Sequence, residues 1–438
     1  MRALFSHQVV TPSGVEPATI CIESGTITHV LPNRIPEAVD LGHWTISPGI
    51  VDTHVHINEP GRTDWEGYTT ATQAAAAGGI TTLVDMPLNC LPVTTTAEAL
   101  RLKMEAIREK MWVDCGFWGG VVPESLPHLP ALLQAGVLGV KSFLIDSGIP
   151  EFPPMDATHL RPALATLRHA KKPYLIHAEL DLGAQVPPGD ARSYRRFLAS
   201  RPPDWEQQAI ETMIALCRET GGSVHIVHLS HAGALTAIRT ARSQGLPFSV
   251  ETCPHYLVLE ADTIPDGTPI HKCCPPIREH ANRESLWQGL AEGVIDMVVS
   301  DHSPCLPALK ELERGDLEQA WGGIASLQFS LPLVWTECRN RGYSLNQLAQ
   351  WMSAAPAVLC GLGDIKGRIA PGYRADLVVW DPEQQVRITI DSIRHRHKET
   401  PYLDRLVFGQ VKQTWLGGTC IFDEGTIIDQ PIGQKIMR

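Results

Sequence analysis

Apolar and polar residues along this chain fall into three regimes. Over the first 50 residues the apolar runs are short, rich in β-branched residues and separated by turn residues: HQVVTP, ATICIES, TITHVLP and WTISPG. Each is too brief for a helix and reads as a strand. The same texture returns near the other end in RADLVVWDP, VRITI, QVKQTWLGG and CIFDEGTIID, so both termini are β-rich. Between about Ile50 and about Gly363, strand-like runs alternate with Ala/Leu/Arg-rich stretches such as AEALRLKMEAIREKM and DWEQQAIETMIALCRET. That alternation predicts a parallel sheet joined by crossover helices.

The strand-like runs of the middle regime number eight: GIVDTHVHI, GITTLVDMPL, DCGFWGGVV, GVLGVKSFLI, KPYLIHAEL, SVHIVHLSH, PFSVETCPHY and IDMVVSDHS. Eight βα units over about 300 residues have the count and size of a (β/α)8 TIM barrel, a fold that carries its chemistry where the strands end. Here almost every run ends in a polar residue: His54 and His56, Asn89, Lys141, His177, His228, His255, Asp301. Core packing does not account for so many such residues on one rim, so the rim is the expected site.

Composition narrows the partners. A hydrophobic fraction of 43% with 19% charged residues, 36 Gly and 34 Pro describes a compact globular chain. The net charge of -11, with Lys and Arg scattered, excludes the concentrated basic face that nucleic acid requires. Apolar stretches break well before the roughly 18 residues needed to span a bilayer. The start, MRALFSHQVVTPSG, turns polar too soon for a secretory signal, and the end, GQKIMR, carries no SKL-type address. The 11 cysteines are spread out without a CxxC pair, which favours free thiols in a reducing compartment. A cytoplasmic location is expected.

The rim residues suggest a metal. On an extended strand His54 and His56 point to one face, where two imidazoles can chelate one ion; the pair alone serves equally well as two hydrogen-bonded histidines. Asp301 opens a DHSP loop after the apolar run IDMVV, and a carboxylate at that depth needs a cation or several donors to offset its desolvation. His177 and His228 end the fifth and sixth runs and could hold a second ion, whereas His225, three residues before His228, falls on the opposite face and reads as structural. Lys141 is the odd member among cations. Desolvation lowers a lysine pKa, and a neutral lysine can react with carbon dioxide to give an anionic, two-oxygened carbamate able to bridge two ions.

The order HxH, Lys, His, His, Asp, together with SPGIVDTHVHINEPG at the first strand and KGRIAPGYRADLVVWDP after the barrel, resembles the cyclic-amidohydrolase branch of the amidohydrolase superfamily over essentially the whole chain. The resemblance implies an α/β fold in which residues 51–363 form the barrel and residues 1–50 and 364–438 together form a small β-sandwich. It also implies two divalent ions, most simply Zn2+, with Co2+, Mn2+ or Ni2+ compatible with the same donors. His54 and His56 would hold one ion and His177 and His228 the other, with Lys141 bridging as N6-carboxylysine and Asp301 acting as ligand and proton shuttle. Relatives in this branch are commonly homotetramers or dimers.

Within the branch three families compete. Dihydroorotases typically read HLREPG at the metal motif; here Asn58 stands at the arginine position, and an amide cannot offer the charge that a substrate carboxylate favours. Dihydropyrimidinases (hydantoinases) usually lack NEPGR and place a Tyr after the lysine strand, where this chain has KSFLIDSG. The segments NEPGRTDWEGY, DMPLN, KSFLIDSGIPEFPP, ETCPHYL, CCPPIRE, SDHSPC and AWGGIASLQ resemble the allantoinases. That resemblance implies hydrolytic ring opening of a small molecule, allantoin, to allantoate by a hydroxide shared between the ions, with hydantoinase-type chemistry as the alternative. A non-catalytic scaffold on the same fold is the rival from another class, disfavoured because all six ligand positions are present. Expected substrate contacts are Asn58, Arg62, Glu66 and Asn89, with backbone around Cys274, Gly322 and Gly323; turn formation and salt bridging account for them equally well. Ser142 or Ser147 could stabilise the oxyanion, and His255 and His302 flank the rim. Cys253, Cys273, Cys274 and Cys305 crowd the same loops and read as buried small hydrophobes.

Overall fold

The computed structural model describes residues 2–438. All eight runs of the middle regime are strands: Ile50–Val55, Ile80–Asp85, Asp114–Phe117 continued by Gly119–Gly120, Val140–Phe143, Tyr174–His177, Val224–Ile226, Phe248–Thr252 and Met297–Val298. Each pairs in parallel with the next. Closure comes where Val55 bridges His302 and the His56 N–H donates to the His302 carbonyl at 2.8 Å. The ring is therefore a (β/α)8 barrel, and the residues that close it neighbour the expected metal ligands.

Helices cover the barrel for local reasons. Ala157–Ala170 starts because the Asp156 carboxylate accepts the Thr158 and His159 N–H groups, and stops at Lys171 in the left-handed region (φ 54°). Its buried Leu160, Ala163, Leu164 and Leu167 follow the i, i+3, i+4, i+7 pattern of one helix face. The stretch SLPHLPALLQAG, expected as one helix, divides into a 3-10 segment, Pro123–His128, and a short helix, Leu129–Gln134. Pro127 and Pro130 lack the N–H that a continuous helix needs there.

Both termini contribute to one nine-stranded sheet. Arg2–Thr11, Gly14–Glu23, Thr26–Leu31 and Thr45–Pro48 come from the start, and Leu377–Arg387, Leu406–Leu416 and Thr419–Asp423 from the end. The two halves meet where Thr45–Pro48 pairs antiparallel with Leu377–Arg387. Leu4, Ile20 and Ile46 pack with Leu377, Val379 and Trp415 in one buried cluster, so neither half buries its apolar face alone. The last strand departs from the expected assignment of residues 364–438 to the terminal sheet. Lys435–Ile436 pairs in parallel with Cys115 and Gly116 of the third barrel strand. On the third strand's side the fourth strand pairs with Gly119 and Gly120 but not with Asp114–Phe117, which leaves the lower edge of the third open, and the tail satisfies that edge.

Lys366 ties the two parts together. Its ammonium is buried between Asp114 of the barrel, at 2.8 Å, and Asp376 at the start of the C-terminal strands. Removing one member of a buried ion cluster strands the others, at a cost of about 3–5 kcal/mol. Lys366→Met is expected to lower stability by that amount in urea unfolding; a midpoint unchanged from the parent would show the carboxylates to be hydrated instead.

Candidate active site

The barrel's C-terminal rim gathers the expected ligands because each lies at or just beyond a strand end. His54 is the penultimate residue of the first strand and His56 directly follows its end, both on one face, with Val55 between them turned away. His54 Nε2 lies 3.1 Å from Asp301 Oδ1 and 3.2 Å from Lys141 Nζ, and His56 Nε2 lies 3.6 Å from the same Asp301 oxygen. Across the rim His177 Nδ1 and His228 Nε2 are 2.9 Å apart. The rings of His54 and His228 have centroids 5.3 Å apart, so the two groups of donors face one another around Lys141. His228 and Asp301 take left-handed backbone conformations, φ 40° and 42°, which non-glycine residues hold only where surrounding structure enforces them.

A shell of carboxylates orients these donors. The His54 Nδ1–H donates to Glu251 Oε1 at 2.5 Å, and the other Glu251 oxygen accepts from His225 Nε2 at 3.0 Å. His225 in turn bonds the Ser249 hydroxyl at 2.8 Å, so the residue read as structural anchors the carboxylate behind His54. His177 Nε2–H donates to Glu179 Oε2 at 2.8 Å, and Arg201 holds that same oxygen at 2.7 Å. Neither Glu251 nor Glu179 was singled out from the sequence. A buried carboxylate inside the apolar run PFSVETC was the signal for Glu251, by the desolvation argument applied to Asp301.

These hydrogen bonds test whether ions fit. With Nδ1–H committed to Glu251, a neutral His54 turns its Nε2 lone pair toward the Asp301 carboxylate, and two acceptors at that distance call for a cation between them. With Nε2–H committed to Glu179, His177 turns its Nδ1 lone pair toward His228, whose own Nδ1 is buried without a partner. Two nitrogens on one tetrahedral ion sit about 3.3 Å apart for bonds of about 2.0–2.1 Å, close to the spacing here. Burial, reinforced by the Lys141 charge, holds His54 and His56 far below the ordinary histidine range; burial and then His177 do the same for His228. Neutral imidazole is the metal-binding form. Burial also pushes Lys141 down and Asp301 up from their usual values. The donors of His54, His56 and Asp301 lie within 4.8 Å of one another. The residues fit a site for divalent ions. Glu251→Gln, which withdraws the acceptor from His54, is expected to weaken metal retention by about 10–100-fold, read as metal content after graded chelation.

His56, Lys141, His177, His228 and Asp301 form the floor of an open cleft of about 720 Å³, with Asn89, Arg201, Cys274, Trp321, Gly322 and Gly323 on its walls, while His54 is buried beneath. The structure separates the expected substrate contacts. Asn58 and Arg62 do not line the cleft: the Asn58 amide donates to the Pro304 carbonyl at 3.2 Å, while Arg62 faces Glu151 at 3.8 Å and packs over Trp65. Asn58 has φ 68°, a turn that carries its side chain away from the floor. Glu66 is buried against His302 at 3.2 Å. The Ser142 hydroxyl donates away from the floor to the Val121 carbonyl at 2.6 Å, and that of Ser147 to the Phe152 carbonyl at 2.7 Å.

Gly323 is a scaffold position rather than a free donor. Its N–H already serves the Lys272 carbonyl at 2.9 Å and its carbonyl accepts from the buried Lys310 ammonium. A Cβ there would lie 2.3 Å from the Ser303 carbonyl, so only glycine fits against the loop that follows Asp301.

Barrel, rim and donor set define a metal-dependent hydrolase of the amidohydrolase type, and a family model described as "Amidohydrolase family" matches residues 45–421. The chain is 46% identical over 442 residues to an allantoinase of Streptomyces avermitilis, covering 99% of this chain and 98% of that protein. It is 44% identical to the allantoinase of Saccharomyces cerevisiae, covering 100% and 99%. The chain belongs to the amidohydrolase family and, within it, to the allantoinases. Among solved structures it is similar to an L-hydantoinase (dihydropyrimidinase) from Arthrobacter aurescens, with a TM-score of 0.92, 27% identity and complete coverage of both chains.

Proposed function

We propose that the protein opens the hydantoin ring of allantoin by hydrolysis of a cyclic amide, giving allantoate. The observation that carries this reading is the convergence of His56, Lys141, His177, His228 and Asp301 on the cleft floor, with His54 buried against Asp301 and Lys141, in a chain nearly half identical along its length to allantoinases. His54 and His56 would hold one divalent ion and His177 and His228 a second, with Lys141 carboxylated between them and Asp301 completing the set. Zn2+ suits these nitrogen and oxygen donors, as do Co2+, Mn2+ and Ni2+. Such ions supply a lowered pKa of water and polarisation of the amide carbonyl.

The chain's own residues do the rest. Asp301 lies at the cleft floor with Oδ1 held by the Ser303 hydroxyl at 2.8 Å, positioned to accept a proton from the attacking water. As the C–O bond forms and the ring C–N bond breaks, the same carboxyl returns that proton to the leaving nitrogen. Glu251 and Glu179 keep the imidazole lone pairs of His54 and His177 aimed inward. Asn89 and the backbone near Cys274 and Gly322 are the wall groups within reach of a polar ring substituent. The protein's 11 free cysteines support a reducing compartment such as the cytoplasm; among the described residues no helix is long and apolar enough to cross a membrane.

The test is turnover of allantoin, hydantoin, dihydrouracil and dihydroorotate by purified protein, before and after chelation and readdition of Zn2+, Co2+ or Mn2+. Metal-dependent preference for allantoin is expected. Preference for hydantoin or dihydrouracil would favour the hydantoinase reading, which the 0.92 TM-score to an L-hydantoinase keeps in view. Inactivity on every ring with metal bound would favour a scaffold.

A further inference from the structure

A second group of donors also converges on Asp301. Cys253 directly follows the seventh barrel strand, and His255 sits in the short helix Pro254–Val258 that comes next. One ligand atom from each of Cys253, His255 and Asp301 lies within 4.8 Å of the others, and all three residues are buried. His255 is fully buried with neither ring nitrogen bonded to anything. That is costly for an imidazole, which carries one donor and one acceptor, and its nearest ring contact is the edge of Tyr256 at 4.1 Å. The Tyr256 hydroxyl is committed elsewhere, to the Pro275 carbonyl at 2.7 Å.

We propose that Cys253, His255 and Asp301 form a further cation site, selective for thiophilic divalent ions of the zinc class and sharing Asp301 with the paired site. A thiolate, an imidazole and a carboxylate are a soft-to-borderline donor set, unlike the nitrogen and oxygen donors of the main site. Ligand atoms on one tetrahedral ion lie about 3.3–3.8 Å apart, so from separations within 4.8 Å a contraction of at most about 1.5 Å through side-chain rotation closes the group around an ion. The Cys253 proton leaves as the ion enters. Because an ion held there draws on the carboxylate that the main site needs, the site is inhibitory: excess zinc suppresses turnover that saturating zinc supports.

A cobalt titration tests the site by a signal that the main site cannot produce. Full-length protein saturated with Co2+ at the paired site is titrated with further Co2+ and followed in the near ultraviolet. There thiolate-to-cobalt charge transfer absorbs; imidazole and carboxylate donors give no such band. A band that grows only with excess Co2+, is absent in Cys253→Ser and is weakened in His255→Gln is the expected result. In parallel, the zinc concentration for half-inhibition should rise at least about 10-fold in Cys253→Ser, since even changes outside the ligand shell cost about 10–100-fold in metal affinity. No band in the parent protein, or a band that persists in Cys253→Ser, overturns the proposal. Should Cys253→Ser fail to fold, the parent spectrum and His255→Gln decide the question: a band insensitive to His255→Gln also overturns it.

Discussion

Lys141→Ala is expected to abolish ring opening and to release metal from the site. The residue is buried with its ammonium 3.2 Å from His54 Nε2, at the centre of the donors from the first, fifth and sixth strands and Asp301. An uncarboxylated lysine there would bring a positive charge or at most a neutral amine between the proposed cations, whereas a carbamate at that nitrogen supplies an anion able to bridge them. Alanine would delete the proposed bridge, and the loss should exceed the about 10²–10³-fold that removal of one fixed electrostatic stabiliser costs. The checks are metal stoichiometry after dialysis and turnover with and without added acetate or propionate, whose carboxylate can enter the space left by the side chain. Partial recovery with the acid supports a bridging carbamate. Full metal retention with parental activity in Lys141→Ala would remove Lys141 from the site.

Asp301→Asn is the second large effect. The amide keeps the shape of the side chain and one oxygen for the Ser303 hydroxyl, but cannot take a proton from water or return it to nitrogen. Loss of a positioned general base costs about 10²–10⁴-fold in rate. Turnover should fall by that amount, with a much smaller change in KM, because the cleft walls proposed to contact substrate are untouched. A comparable rise in KM with turnover preserved would make Asp301 a binding group and leave the proton shuttle to another residue.

Much of this was legible in the chain itself. The eight apolar runs are strands because each is short, β-branched and bounded by turn residues, and local periodicity reports that directly. His54, His56, Lys141, His177, His228 and Asp301 were visible because polar residues ending apolar runs are energetically anomalous wherever the chain places them. Glu251 and Glu179 obey the same rule but lie inside or just beyond runs whose ends already held histidines, which masked them. Their partners, His54 and His177, identify them only in space. Asn58 and Arg62 show the opposite limit, since closeness in sequence to a ligand strand says nothing about which way a loop turns after it. At Asn58 the left-handed turn sends the side chain to the Pro304 carbonyl.

Strand identity, the βα order and which polar residues end the strands follow from the sequence alone, because they depend on neighbours a few residues apart. The tertiary structure decided what depends on distant pairs. Terminal strands more than 300 residues apart in sequence join in one sheet at Thr45–Pro48 and Leu377–Arg387. The C-terminal tail caps an open barrel edge at Cys115 and Gly116. Glu251 reaches back 197 residues to set the His54 tautomer. No local pattern encodes these contacts, because each is chosen by whichever buried donor, acceptor or open edge the closed barrel leaves to be satisfied.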